Sequence, residues 1–447
     1  MLKFLFIAVS LFSLTGHWGV LISFLLVISF VWGLSIENFN LGIVGLAQLD
    51  LLSYLLGFLS VWITALMLII RLRVKVSKNF PAVFSGLRVG ILFFLLISFG
   101  TSDLIIFYIS FEATLIPIFL LVIGWGYQPE RVSASLYLLF YTLAASLPLL
   151  LRILWVSREE ISLDYTFFWK ARRTRVLLFW GMVLAFLVKL PVYFGHVWLP
   201  KAHVEAPVAG SIILAGVLLK LGGYGLVRVF PYLESKLRES SSLLIRVRVV
   251  GGVLASLICI RQTDCKSLVA YSSVAHIALV LLGVVTNTFL GVAGAVVIII
   301  SHGLCSSGLF RLVGIVYERL GTRSLVLIRG LISIAPISSI WWFLFRVRNI
   351  AAPPTPNLLG EIYLFIVSLG WWRGTVLLVG LLSFMAGAYN LYLFITTQHG
   401  GEISSLSLMR DFSFREHIVL FFHIGPFILL FPFLSHFFSY NCSLNKT

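Results

Sequence analysis

The chain has 447 residues, 60% hydrophobic and 11% charged, with 33 Lys+Arg against 17 Asp+Glu for a formal charge of +16. A soluble chain is nearer a quarter charged, so this composition excludes a set of water-soluble domains and leaves a polytopic membrane protein solvated by lipid tails. The basic excess does not point to nucleic acid. It falls in short clusters between apolar runs, such as Arg71, Arg73 and Lys75, or Arg172, Arg173 and Arg175, where loop charge anchors helices against headgroups. Cys259, Cys265, Cys305 and Cys442 show no Cys-x-x-Cys spacing, so no metal, iron–sulfur or disulfide framework is expected.

A hydrocarbon core about 30 Å thick takes about 20 apolar residues per helix. Such runs lie near 2–16, 19–34, 51–70, 84–100, 102–125, 134–156, 176–200, 207–230, 243–260, 267–285, 289–316, 324–370, 374–396 and 414–438. They predict an all-α polytopic membrane fold of about fourteen transmembrane helices. The first run follows Lys3 without a small-residue cleavage site before the next stretch near Val20, and reads as a retained span rather than a signal peptide. The longest polar connections, at 152–175 and 228–248, are too short for a soluble domain. Basic loop residues balance on the two sides, so charge alone assigns no orientation.

Two segments break the helical pattern in apolar surroundings. One runs from Lys189 through Pro191 and Gly195 to Pro200; the other contains Pro353, Pro354, Pro356 and Gly360. Proline removes a backbone donor and clashes with the preceding turn. At membrane depth a broken helix survives only in protein or along a hydrated cavity. Interrupted helices at matching places of two halves mark inverted-repeat transporters. With halves starting near 84 and 241, Lys189 and Glu361 fall at comparable depths, which supports a repeat of five spans.

An ionisable residue inside a span costs about 2.5–3.5 kcal/mol on insertion scales and is a functional hypothesis by default. Glu112 lies in the run Ile106–Pro117, Lys189 just before the first break, Lys220 between Gly216 and Gly223, and Glu361 just after the second break. Each has a plainer rival. Lys189 and Lys220 can snorkel to headgroups, Glu112 can belong to a structural ion pair, and Glu361 can cap a helix start. His276 has Ser272 and Ser273 on its face, and His302 has Cys305 and Ser306. An imidazole there suits a proton relay, with a satisfied structural histidine as the alternative. No nucleophile–base pair, phosphate loop or metal cluster accompanies these groups. Proton transfer across the membrane is the chemistry left. Lys201, His203 and Glu205, between Pro200 and Pro207, are expected to form a short irregular or single-turn element that shapes the loop.

The stretch Leu190–Ser211 continuing into Leu218–Gly225, together with Tyr108–Pro117, Lys266–His276, Ser301–Ser307 and Pro356–Glu361, resembles the subunit 4 family of mitochondrial respiratory complex I, NADH:ubiquinone oxidoreductase. The likeness covers nearly the whole chain. The wider group of antiporter-like subunits shares its broken helices with multisubunit cation/proton antiporters. The resemblance implies fourteen spans in two inverted five-helix repeats and a proton path through Glu112, Lys189, Lys220, His276, His302 and Glu361. The expected organisation is a three-helix segment over 1–83, a first repeat over 84–230 with its broken helix at 176–206, a second over 241–396 with its broken helix at 324–370, and a C-terminal helix and tail over 397–447.

The family places NADH, FMN, the iron–sulfur clusters and ubiquinone in other subunits, so no cofactor or metal is expected in this chain. It implies the mitochondrial inner membrane, lipids and neighbouring membrane-arm subunits as surroundings, with no nucleic acid. A related subunit holds Lys where this chain has Glu361. The leading expectation is a proton-translocating subunit of a redox enzyme. Its rivals are a cation/proton antiporter subunit without a redox partner and a structural membrane scaffold.

Overall fold

The structure, a computed structural model, describes residues 9–34, 43–44, 47–48, 50–70, 79–159, 163–164, 176–401 and 411–426. Part of the expected first and last spans, the clusters at Arg71, Arg73, Lys75 and Arg172, Arg173, Arg175, and Cys442 lie outside the described residues. The described chain is helical, apart from one two-residue pairing of β1 (Ile43–Val44) with β2 (Ala47–Gln48). Helices are what this composition permits in lipid, where every backbone donor and acceptor must be satisfied within the segment.

In chain order the helices are α1 (Trp18–Leu34), α2 (Leu51–Ile70), α3 (Pro81–Gly100), α4 (Leu104–Trp125), α5 (Arg131–Glu159), α6 (Val176–Lys189), α7 (Trp198–Glu205) and α8 (Val208–Val229). They continue as α9 (Glu234–Ile260), α10 (Cys265–Val285), α11 (Phe289–Leu320), α12 (Pro336–Asn349), α13 (Pro356–Trp371), α14 (Arg373–Gln398) and α15 (414–426). Among the described residues nine are long and apolar enough to cross a membrane, so the chain is a multi-pass membrane protein. It divides into two compact units, Met1–Pro191 with Val197–Ser240, and Val192–His196 with Ser241–Thr447. In the first unit α2 and α8 are interior helices, and in the second α10 and α11 are. α5 and α14 leave much of their length exposed, with Leu136, Phe140, Leu147 and Leu151 on one and Leu377, Phe384, Leu391 and Ile395 on the other. Apolar surface of that extent suits lipid.

Both breaks are built alike. α6 stops at Lys189, the chain turns through Phe194 at φ 63°, and α7 begins at Trp198. α12 stops at Asn349, the chain turns through Ala351 at φ 62°, and α13 begins at Pro356. A non-glycine residue is strained in that left-handed region. In each case a side chain at the start of the second half-helix donates to the penultimate carbonyl of the first. The Trp198 indole N–H reaches the Val188 carbonyl at 3.1 Å, and Asn357 Nδ2 reaches the Arg348 carbonyl at 2.9 Å. Those carbonyls are among the last four of a helix and lack an intrahelical donor.

Two expectations change. The element carrying Lys201, His203 and Glu205 is an eight-residue helix of two turns rather than an irregular loop. Pro200 is its third residue, where a helical N–H has no intrahelical partner to lose. Glu361 is the sixth residue of α13, beyond the first turn, and the N-cap position belongs to Thr355. The dipole effect fades within one turn, so Glu361 does not cap this helix.

Candidate functional site

The first unit brings Glu112, Lys189 and Lys220 onto three helices. Glu112 sits where α4 is interrupted at Thr114. Pro117 accounts for the interruption, since it has no N–H for the Ala113 carbonyl and its ring presses on that same carbonyl. One turn back, the Phe111 carbonyl accepts the Thr114 hydroxyl at 2.8 Å and the Lys189 ammonium at 2.9 Å. The same ammonium lies 3.1 Å from the centroid of the Phe111 ring. Lys189 is buried, so it reaches no headgroup. The charged group acting on it is Glu112, whose carboxylate also faces Ser146 on α5. Both Glu112 oxygens are shielded and accept no hydrogen bond among the described residues. That leaves a carboxylate whose neighbouring charge is an amine already held by a carbonyl.

Lys220 is buried on α8, just after a π-turn over Leu214–Leu218, and its ammonium donates to the Ala215 carbonyl within that turn. A π-turn widens the helix locally and recurs at functional sites. The small residues that admit a neighbour are Gly222 and Gly225. A Cβ at Gly225 would lie 2.2 Å from the Phe186 ring and one at Gly222 2.9 Å from Leu190 Cγ, so α8 meets α6 at the turn that ends in Lys189. Farther along the same face Tyr224 donates to the Phe99 carbonyl at 3.1 Å, and Arg228 pairs with Asp50.

The second unit gathers His276, His302 and Glu361. The rings of His276 on α10 and His302 on α11 have centroids 5.2 Å apart. Tyr389 on α14 places its hydroxyl 3.2 Å from His276 Nε2. Glu361 is buried on α13 and is one of the charged groups acting on Tyr389. α13 can approach α11 because Gly360 and Gly294 face each other: a Cβ on Gly360 would lie 2.5 Å from Ile298 Cγ1 and 3.1 Å from the Gly294 carbonyl. Asn357, one turn earlier, also accepts the Ser301 hydroxyl from α11. Lys201 is exposed, with its ammonium 3.7 Å above the Tyr137 ring.

Sequence reasoning missed Pro117 as the cause of the gap beside Glu112, the π-turn before Lys220, and Tyr389. The first and last had readable signals: a proline five residues after the acid, and a Tyr389–Asn390 polar pair inside an apolar span. Among the described residues no group of three or more His, Cys, Asp or Glu side chains could hold a metal ion. Two clusters of buried acids, amines and imidazoles, without a nucleophile or metal, are equipped to hold and pass protons.

These features define a membrane subunit of the antiporter-like class: residues 101–386 match the family described as NADH:quinone oxidoreductase/Mrp antiporter, TM. Residues 1–98 match the family described as NADH-ubiquinone oxidoreductase chain 4, amino terminus. The NADH-ubiquinone oxidoreductase chain 4 of Ceratitis capitata is 46% identical over 85% of this chain and 85% of its own length, and that of Aedes aegypti is 44% identical over 96% and 98%. The chain therefore belongs to the NADH-ubiquinone oxidoreductase chain 4 family. A chain of respiratory complex I from Thermus thermophilus with bound NADH shares its fold, with a TM-score of 0.81 at 23% identity over 95% of this chain and 94% of that one.

Proposed function

We propose that the chain is a proton-translocating membrane subunit of respiratory complex I in the mitochondrial inner membrane. It works among other membrane-arm subunits and lipids, while NADH, FMN, iron–sulfur and ubiquinone chemistry is carried by its partners. Glu112 and Lys189 form the loading pair, Lys220 and the His276/His302 pair pass the proton, and Glu361 holds it last. Fourteen spans in two inverted five-helix repeats accompany this reading, supported by the shared construction of the two breaks.

The observation that carries the proposal is the buried Lys189 ammonium, drawn between the Phe111 carbonyl and the Glu112 carboxylate. A nearby carboxylate stabilises the charged amine, and a receding one favours release of its proton. Movement of Glu112 therefore converts geometry into proton affinity without bond chemistry. Glu112→Gln removes the charge and keeps the shape. The assembled enzyme carrying it is expected to lose about tenfold or more of its NADH-driven proton translocation in proteoliposomes, the scale of a lost proton-transfer group. Wild-type translocation in a fully assembled variant would refute the assignment.

A further inference from the structure

Tyr389 is fully buried on α14, between the apolar Ala386 and Leu393 and beside the buried Asn390. Its hydroxyl lies 3.2 Å from His276 Nε2, and His276 in turn stands 5.2 Å, ring to ring, from His302. α13, which carries the buried Glu361, and α12, which carries the buried Arg346, both pack against α14. Arg346 is fixed there by the residue next to the tyrosine. Asn390 Oδ1 accepts from Arg346 Nη1 at 3.1 Å and from Asn349 Nδ2 at 2.9 Å, while its own amide donates to the Ala386 carbonyl at 2.8 Å. Four helices thus converge on one phenol.

A phenol can donate and accept at once, which neither a carboxylate nor an ammonium does. From this convergence we infer that the Tyr389 hydroxyl is the proton bridge between the His276/His302 pair and Glu361, an inference that rests on the proposed pumping role and sharpens it. In the outward step, protonated His276 gives its Nε2 proton to Tyr389 Oη. The hydroxyl's own proton passes through one bridging water to the Glu361 carboxylate. One N–H and one O–H bond break, one O–H forms on the tyrosine and one on Glu361, and the imidazole is left neutral. Rotation of the new O–H away from His276 and toward the water on the Glu361 side resets the bridge, with an oxygen lone pair facing Nε2 again.

The test is Tyr389→Phe in the assembled enzyme, which deletes the oxygen and keeps the ring. A bridging role predicts a loss of coupled turnover of about tenfold, together with a solvent deuterium isotope effect larger than that of the wild type, because water must then span the gap. A ring that only fills space predicts wild-type turnover and an unchanged isotope effect, and that result overturns the inference. Should the phenylalanine variant fail to assemble, Tyr389→His and Tyr389→Leu decide the matter: turnover restored in the histidine variant supports the bridge, and equal loss in both overturns it. Glu361→Gln and His276→Gln run in parallel separate the two levels. If they impair pumping while Tyr389→Phe does not, the tyrosine falls alone; if all three pump normally, the relay itself falls with it.

Discussion

A lysine can leave its ammonium exposed or keep it inside the fold, and this chain does both. Lys201 is exposed over Tyr137, whereas Lys220 is buried with its ammonium on the Ala215 carbonyl. The first contact is an exposed cation–π pair, a matter of about 0.5–1 kcal/mol. The second keeps a protonatable amine out of water. Lys220→Ala is therefore expected to lower coupled proton translocation about tenfold, and Lys201→Ala to leave it within about twofold, as read in proteoliposomes containing assembled enzyme. Equal losses in the two would contradict the division. Glu361 makes a related point. Its place in the second turn of α13 removes helix capping as a reason for its presence, and a buried carboxylate on a helix packed against α11 and α14 remains.

Elements are held together by a few side chains that do work the backbone cannot. Asn357 joins three of them: it takes the Ser301 hydroxyl from α11, donates to the Arg348 carbonyl of α12, and sits in the first turn of α13. Asn357→Ala removes both links while the Arg348 carbonyl keeps the Ala351 N–H at 3.1 Å and the Ser301 hydroxyl keeps the Ile298 carbonyl at 3.5 Å, so the cost is that of two lost hydrogen bonds, about 1–2 kcal/mol. A lower thermal midpoint of the assembled membrane arm should follow; an unchanged midpoint would mean that water replaces the amide. α15 is fastened differently. Ser413 and Glu416 form a capping box, with the Ser413 N–H donating to Glu416 Oε2 at 2.8 Å, which satisfies one of the loose donors at the helix start. The same carboxylate pairs with Arg319 and lies 3.7 Å from Arg311 Nη2, while Trp341 Nε1 donates to His417 Nδ1 at 2.8 Å. Glu416→Ala removes the cap and the Arg319 pair, while Arg311 keeps Glu318 at 3.7 Å and Arg319 keeps the Asp411 carbonyl at 2.9 Å, a loss of about 1–2 kcal/mol. Protease access to the chain after Gln398 should rise in that variant, and no change would show that the remaining contacts of Arg319 and Trp341 suffice to hold α15.

For the whole molecule, the choice between a redox-driven pump and a cation/proton antiporter is one of ion selectivity. Among the described residues each cluster offers one carboxylate, Glu112 or Glu361, and a hard cation takes about six or more oxygens, whereas a proton needs one acceptor. NADH-driven proton translocation by the assembled enzyme is expected to be the same in sodium-free and sodium-containing buffer. A sodium-dependent proton flux through this subunit would favour the antiporter. Much of this was readable beforehand. Spans and breaks follow from hydropathy and proline, because lipid leaves the backbone few options. The six ionisable residues stood out against apolar runs, and the structure buries five of them along with the carboxylate oxygens of Glu112. Their partners were not readable. Phe111 and Ala215 serve Lys189 and Lys220 through backbone carbonyls, which every residue has, so composition carries no trace of them. The helical turns of α7 and the position of Glu361 depend on where a helix restarts after proline, a matter of one or two residues that periodicity does not resolve.

The donors that close the two breaks bear on how such a subunit is driven. Trp198 and Asn357 already satisfy the carbonyls that a ruptured helix would otherwise offer to water. Each gap is thus a standing fixture of the fold rather than a fault that opens during turnover. Unwinding at these points has to break a made hydrogen bond before water can take its place, so the backbone is a costly moving part. Side-chain rotamer changes cost less. Under the proposed pumping role, each unit would then respond to neighbouring charge through switching side chains rather than through a hinge at its break.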